Sequence, residues 1–455
     1  MNDKDSTLSF AQGSVSKAVL RNAIPAIAAM IMVLVYNLAD TFFIGQTHND
    51  YMVAAVSLAT PVFLIFMSIG TLFGMGGTSV ISRALGEGRP EYAKKVCSFC
   101  MWACVIVGVA AMILFWVFMD ELLVLLGASA DTMEYTRTYM NIVVGCGVFS
   151  MISNCYSNII RAEGKSTVAM AGTLIGNLLN VILDPIMIFG FNWGVAGAAI
   201  ATVIGNIAAA LFYLVYFWTG KSSLSISLKD FSIKGGILTG VIAIGVPSSL
   251  CNLLMSISQM ITNSKMANYG DLSVAAYGVS AKVLMIVSLV GVGLGQGIQP
   301  LLGYCYGAKD KKRFKDCLSF SFIFGLILCT AITAVCFIFA EPIVKVFLTE
   351  PTALEAGVRF SRIMLSTAWL FGAFYVLLNA LQGMGAATPA LIASICRQGL
   401  IYIPAVFIMD AIVGMDGLAW AQPVADVLSL LLVVVLVIVA MKKQGMFQSD
   451  KKKVK

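Results

Sequence analysis

Long apolar segments recur along this chain with only short polar connections between them, and they constrain its fold more than any other feature. Of its 455 residues, 59% are hydrophobic and only 12% are charged. A soluble domain could not bury so much apolar surface, whereas a run of about 18 apolar residues can cross a bilayer as a helix. The pattern predicts an all-α polytopic membrane protein. Its twelve predicted transmembrane helices cover residues 18–45, 51–83, 91–119, 132–160, 166–190, 194–218, 236–268, 272–305, 312–339, 354–382, 388–411 and 416–441.

The chain also repeats itself about 221 residues later. Gly76 recurs as Gly297, for example, and Asn158 recurs as Asn379. Six helices in each copy give both copies the same orientation, so the repeat is parallel, a plan common among secondary transporters. The predicted units are an N-terminal lobe of helices 1–6 (residues 1–219), a cytoplasmic inter-lobe linker (220–235), and a C-terminal lobe of helices 7–12 with a basic tail (236–455).

Charge alternates between the connections. Lys and Arg are concentrated between Arg83 and Lys95, in the linker and in the tail Lys451–Lys455, whereas acids such as Asp120 occupy the opposite connections. The positive-inside rule then predicts that both termini are cytoplasmic, in a multi-pass protein of a prokaryotic plasma membrane. Because the net charge of +7 follows the topology, it does not indicate a nucleic-acid partner.

Two acids lie at membrane depth in the first lobe, where each costs about 2.5–3.5 kcal/mol to insert. Asp40 and Asp184 lie roughly 28 and 27 Å along rising helices and therefore share a depth. Asn180 is one turn below Asp184, Tyr36 is one turn below Asp40, and Thr202 faces them from the sixth helix. These groups predict a proton or sodium site, with a hydrogen-bonded structural cluster as the alternative. No other metal and no cofactor is expected.

Other residues inside the predicted helices invite separate hypotheses. Pro25 favours a bend in the first helix, either static or mobile. Arg397 and Asp426 fall near the midplane on neighbouring helices, which predicts a buried pair with a mainly structural role. Lys282 either lines a cavity or extends outwards to the interface.

The first helix of the second lobe carries no acid, and polar and sulfur-containing side chains stand there instead. A flexible apolar wall of this kind suits bulky organic ligands, although Met at helical spacing is also typical of a core. The predicted cavity-lining residues, besides Lys282, are Met255, Gln259, Met260, Tyr277 and Tyr375. The glycine rows at 70–77 and 291–297 are expected to be packing seams rather than ligand contacts.

Several stretches together resemble the multidrug and toxic compound extrusion (MATE) family. They are residues 37–45 around Asp40, 82–86, 177–185 with its Asn180 and Asp184, 194–202 ending at Thr202, and 422–426 ending at Asp426. The resemblance covers essentially the whole chain. It implies two six-helix lobes in a V that open alternately to each side, and export of organic cations in exchange for sodium or protons. It also implies a coupling site at Asp40, Asn180, Asp184 and Thr202.

Two alternatives remain beside the antiporter. One is a flippase of the same superfamily for lipid-linked sugars or precursors, although such proteins often have fourteen helices and a strongly basic cavity. The other is an intramembrane aspartyl protease using Asp40 and Asp184, although neither acid lies in the motifs of those enzymes. We therefore expect a transporter and not an enzyme. Its expected partners are cationic or amphipathic small molecules and membrane lipid, and the protein is expected to be a monomer.

Overall fold

The computed structural model describes residues 10–11, 13–47, 49–348 and 350–446. This part of the chain is helical throughout its regular structure, with no strand. Eleven of its helices are long and apolar enough to span a membrane, and one bent pair completes a set of twelve. We label them α1 Val15–Gly45, α2 Asp50–Gly86, α3 Pro90–Val117, α4 Met133–Gly145 with Gly147–Ala162, α5 Ser166–Gly190, α6 Gly194–Trp218, α7 Ile237–Ala267, α8 Asp271–Gly307, α9 Lys311–Ile338, α10 Pro351–Gly383, α11 Ala387–Val413 and α12 Met415–Lys443.

Helix α4 differs from the unbroken helix that its sequence predicts. Its two pieces meet at 50° around Cys146, which stands between two glycines. A Cβ on Gly147 would lie only 2.7 Å from the ring of Phe66, so this glycine lets α4 pass close to α2. Hydropathy could not show the bend because glycine is common in membrane helices.

The duplication extends to small features of the fold. Short helices at Met119–Leu125 and Ala340–Lys345 follow α3 and α9 at matching places in the two repeats. Each lobe has its own buried apolar core, and the first half of α1 joins the core of the second lobe through Val19 and Ala23. Helix α1 therefore belongs to the first lobe in sequence but packs partly against the second lobe.

The lobes meet along glycine seams that repeat the internal symmetry. A Cβ on Gly86 would lie 2.2 Å from the carbonyl oxygen of Tyr304, and a Cβ on Gly307 would lie 2.2 Å from that of Arg83. These two contacts are equivalent under the internal repeat. They lie where α2 and α8 reach the connections rich in Lys and Arg, which we call the basic side.

The same seam continues along the helices towards the midplane. A Cβ on Gly76 would lie 2.1 Å from the carbonyl oxygen of Val241 in α7, and a Cβ on Gly297 would lie 2.7 Å from that of Asn22 in α1. The prediction that these glycine rows are packing seams is confirmed. The lobes are therefore closed against each other on the basic side.

The connection between α6 and α7 is docked onto the first lobe. The buried carboxylate of Glu163 accepts hydrogen bonds from the hydroxyls of Tyr216 and Ser222, both at 2.9 Å, and from the backbone amide and hydroxyl of Ser223 at 3.1 Å. Trp102 also donates its indole N–H to the carbonyl of Ile226 at 3.1 Å. Burial raises the pKa of Glu163, although these hydrogen bonds oppose the rise. The basic tail Lys451–Lys455 lies outside the described residues.

Candidate functional site

Two glycines bring α5 and α6 together where the polar cluster of the first lobe forms. A Cβ on Gly176 would lie 2.8 Å from the carbonyl oxygen of Gly205, and a Cβ on Gly205 would lie 2.5 Å from that of Gly176. Backbones can approach this closely only when both residues lack a side chain. One turn further along α5, Asn180 then faces α6.

The side chain of Asn180 joins the two helices. Its amide nitrogen lies 3.2 Å from the hydroxyl of Thr202 on α6 and 3.5 Å from Oδ1 of Asp184 on α5. Asp184 is fully buried, and Asn180 and Thr202 are almost so. The structure thus brings together three of the residues that the sequence predicts for a cation site.

Helix α1 supplies Asp40, the fourth residue predicted for the cation site, and the phenol of Tyr36. Asp40 is close enough to Asp184 for the two carboxyls to interact electrostatically, and the hydroxyl of Tyr36 contacts Thr202. Sequence reasoning missed Tyr139 of α4, which is buried within electrostatic reach of both acids. Its position depends on the bend in α4, and periodicity gave no signal for it.

Three oxygens in this cluster have no hydrogen-bond partner. They are Oδ1 of Asp40, Oδ1 of Asn180 and Oδ2 of Asp184, and all three are shielded from solvent. A buried acceptor without a partner is costly, and a proton or a cation bound among these oxygens would remove that cost. Its donor set consists of oxygen alone, which suits a hard cation such as sodium. The described residues contain no cluster of three or more His, Cys, Asp or Glu side chains of the kind that holds a transition metal.

Pro25 is separate from this cluster. It lies fifteen positions before Asp40, roughly 22 Å along α1. Its neighbours Asn22 and Ala26 contact the α8 glycines of the other lobe. The proline therefore stands at the inter-lobe seam, and any effect on the acids must pass along the helix.

A cavity of about 370 Å³ lies in the second lobe, bounded mainly by α7, α8, α10 and α11. Four of the predicted lining residues face it, namely Met255, Gln259, Tyr277 and Tyr375. Thr71 and Met75 of α2 extend the lining across the inter-lobe boundary. None of the four predicted cation-coupling residues borders this cavity.

Met260 does not line the cavity that the sequence predicts for it, and Lys282 follows the alternative in which it stays outside the cavity. Met260 is 66% exposed and borders a shallow depression beside Lys265 instead. Five residues of helix turn it about 140° away from Met255, so the two cannot share a wall. Lys282 lies 5.6 Å from the ring centre of Phe347 and does not border the cavity.

Arg397 and Asp426 are in contact, as the sequence predicts. The Nη2 atom of Arg397 lies 3.3 Å from Oδ1 of Asp426, and both side chains are almost completely buried. The acid also accepts hydrogen bonds from Gln422 at 2.8 Å and Thr367 at 3.3 Å. Arg397 stands in a π-helical turn of α11, Cys396–Leu400, and its guanidinium reaches the cavity.

Comparison with known proteins agrees with this architecture. The MatE family model matches the chain twice, at residues 25–186 and 247–408, one match in each lobe. The chain therefore belongs to the MATE family of membrane transporters and is not an enzyme.

The similarity to individual relatives covers nearly the whole chain. The multidrug export protein MepA of Staphylococcus aureus (strain NCTC 8325 / PS 47) is 32% identical over 429 residues, which is 94% of each chain. MepA of Staphylococcus haemolyticus (strain JCSC1435) is 30% identical over 419 residues, or 92% of each. A crystal structure of MATE in the straight conformation superposes with a TM-score of 0.91 at 24% identity, covering 98% of this chain and 99% of that one. The chain is thus a multi-pass membrane protein with two repeated six-helix lobes.

Proposed function

We propose that this protein is a secondary antiporter that exports amphipathic organic solutes, including organic cations and drugs, in exchange for sodium or protons. The observation that carries the proposal is the separation of two sites. The first lobe holds paired acids with unpartnered buried oxygens, and the second lobe holds a cavity large enough for an organic molecule. The printed function of MepA, multidrug export, supports the same conclusion.

The orientation follows from charge. With the basic side cytoplasmic, the glycine seams close the protein towards the cytoplasm. We assign the protein to the prokaryotic plasma membrane, which is the inner membrane where there are two, and both termini to the cytoplasm. The moving units are residues 1–219 and 236–455, joined by 220–235, in a monomer surrounded by lipid.

Helix α1 can couple the two lobes because it carries part of the acid cluster and also packs against the second lobe. One end carries Asp40, and the other end packs through Asn22 against Gly297 of the second lobe. A cation that neutralises the acids would relieve their repulsion and draw α1 towards α5. That movement would disturb the seam near Pro25, so cation and solute favour different arrangements of the lobes.

The flippase alternative receives less support from the cavity. Lipid-linked sugars carry phosphate groups, whose recognition calls for several basic side chains. Among the residues lining the cavity, Arg397 alone is charged, and it is already paired with Asp426.

Dye accumulation in everted membrane vesicles tests the proposal, with the driving gradient supplied either as sodium or as acid inside the vesicles. We expect one of the two gradients to drive accumulation, and the double variant Asp40→Asn, Asp184→Asn to abolish it. The matched control is Asp120→Asn, which removes an exposed acid paired with Arg137 and should transport normally. Uphill transport by the folded double variant would refute the coupling role.

A further inference from the structure

The connection between α6 and α7 exposes large apolar side chains beside cationic ones. Leu228 is 64% exposed and is followed by Lys229, and Ile233 is 54% exposed and is followed by Lys234. We call residues 226–234 the strap. Exposed apolar residues are common on water-facing surfaces, so their meaning depends on the level at which the strap lies. At the level of the membrane surface, apolar side chains paired with cationic ones are typical of a segment bound to lipid.

Hydrogen bonds from α3 fix the level at which the strap begins. The hydroxyl of Ser98 donates to the carbonyl of Ser227 at 2.7 Å, and the indole N–H of Trp102, one turn further along α3, donates to the carbonyl of Ile226 at 3.1 Å. Both donors lie well inside α3, which begins at Pro90. The strap therefore runs along the side of α3 rather than beyond its end.

Counting along α3 places Ser98 at the edge of the hydrocarbon layer. Ser98 precedes Val117, the last residue of α3, by 19 residues, which is about 28 Å of helix. The hydrocarbon core of a bilayer is about 30 Å thick, so a helix that ends at one boundary has Ser98 at the other. Asp120 marks the far boundary just beyond Val117, and Ile106, which is 60% exposed, lies between the two levels. The strap therefore meets the hydrocarbon boundary on the basic side.

The other end of the strap is anchored to the same helix. The ring centre of Phe231 lies 6.0 Å from that of Phe99, and the hydroxyl of Tyr92 donates to the carbonyl of Gly235 at 3.0 Å. Because both ends are held against α3, the exposed side chains of the strap face away from the first lobe. At this level they face the bilayer.

The charges of the strap also favour a lipid surface. Its one acid, Asp230, is half-buried, accepts a hydrogen bond from the hydroxyl of Ser225 and lies within electrostatic reach of Lys94 on α3, whereas both strap lysines are exposed. Trp218, at the basic-side end of α6, is 76% exposed, and tryptophan is enriched at membrane–water interfaces. The exposed face of the strap thus matches the acyl chains and phosphates of an anionic leaflet.

We propose that the strap is an anchor for anionic phospholipid, in which Leu228 and Ile233 enter the leaflet on the basic side and Lys229 and Lys234 bind lipid phosphates. The anchor holds the connection between the lobes against the first lobe and the bilayer. It goes beyond the proposed transport function and does not depend on the identity of the solute or of the coupling cation.

Photo-crosslinking of the full chain in nanodiscs tests the level of the strap. A benzophenone amino acid is placed at Leu228 or Ile233, the nanodiscs contain equal amounts of phosphatidylglycerol and phosphatidylcholine, and the adducts are identified by mass spectrometry. We expect adducts on lipid acyl chains at both positions, as at the positive control Ile106 within the span of α3. We expect none at the negative control Glu87, which is exposed in the connection between α2 and α3.

The headgroup preference is read from the same adducts. At Leu228 we expect phosphatidylglycerol adducts to exceed phosphatidylcholine adducts by about fivefold, because cationic side chains near the surface attract anionic lipid. The double variant Lys229→Gln, Lys234→Gln should bring this ratio close to one. The control variant Lys442→Gln, Lys443→Gln removes two exposed lysines at the basic-side end of α12 and should leave the ratio unchanged.

Absence of lipid adducts at both strap positions while Ile106 is labelled would overturn the proposal, as would adducts with a second copy of the chain in place of lipid. Equal yields of the two lipids in the native strap, or a preference that survives the substitution of Lys229 and Lys234, would also overturn it. Failure of the antiport proposal would leave these results unchanged, since the experiment applies no gradient.

Discussion

Replacing Gly205 with alanine tests how the glycine contact positions the acid cluster. The added Cβ would lie 2.5 Å from the carbonyl oxygen of Gly176 and 3.2 Å from Cβ of Asn180. The first obstacle is backbone, so α5 and α6 must separate by about 0.9 Å to reach ordinary contact. Such overpacking costs about 1–3 kcal/mol, and the better helix propensity of alanine offsets only about 1 kcal/mol of it.

The separation of α5 and α6 also affects the acid cluster. The bond from Asn180 to Thr202 runs between the two helices at 3.2 Å, so the same movement would lengthen it to about 4 Å and break it. Loss of this bond costs about 1 kcal/mol and moves Asn180 away from Thr202, and a loss of the same size in cation binding lowers affinity for the coupling cation by about fivefold.

Thermal melting and the cation dependence of dye transport measure these two effects. The matched control is Gly190→Ala at the end of the neighbouring helix α5, where a Cβ would meet only Ile186 at 3.9 Å. We expect Gly205→Ala to lower both stability and cation affinity, and the control to change neither. A Gly205→Ala protein that melts and responds to the cation like the native protein would refute the reasoning.

Three further predictions follow from other contacts. Arg161 donates to Gln296 across the lobes at 3.0 Å, so Arg161→Met should shift the population towards opening on the basic side by about fivefold, seen as greater thiol labelling of a cysteine placed in the seam. Glu163→Ala should loosen the start of the linker, because one carboxylate accepts the hydrogen bonds of Ser222 and Ser223, and native-state trypsin should then cleave the linker faster; unchanged cleavage would contradict this role of Glu163. Tyr139→Phe should alter the cation dependence of transport at unchanged melting temperature, and an identical dependence would remove Tyr139 from the site.

Much of this fold could be predicted because the membrane makes hydropathy a strong constraint. Twelve apolar segments and a 221-residue repeat were enough for two parallel six-helix lobes, since only closed hydrogen bonding survives in lipid. The bend in α4 was not predictable, because it depends on how Gly147 meets Phe66 in another helix. The π-helical turn that carries Arg397 was not predictable either, because local sequence does not specify it.

The acid cluster could be predicted from depth and helical spacing alone. Asp40 and Asp184 stood out because charge is rare inside membrane helices, and Asn180 followed from one turn of helix. The cavity lining was harder, because Met260 and Met255 have the same chemistry but face different directions. Rotation about a helix axis is set by packing between helices, which hydropathy does not record.

Equilibrium binding of an organic cation at varied sodium concentration and pH tests the central claim most directly. For the native protein we expect saturation with the coupling cation to weaken binding of ethidium by about tenfold, because the two ligands favour different arrangements of the lobes. The double variant Asp40→Asn, Asp184→Asn should bind ethidium with one affinity under all these conditions. A native protein indifferent to both cations, or a double variant that keeps the full dependence, would contradict the account.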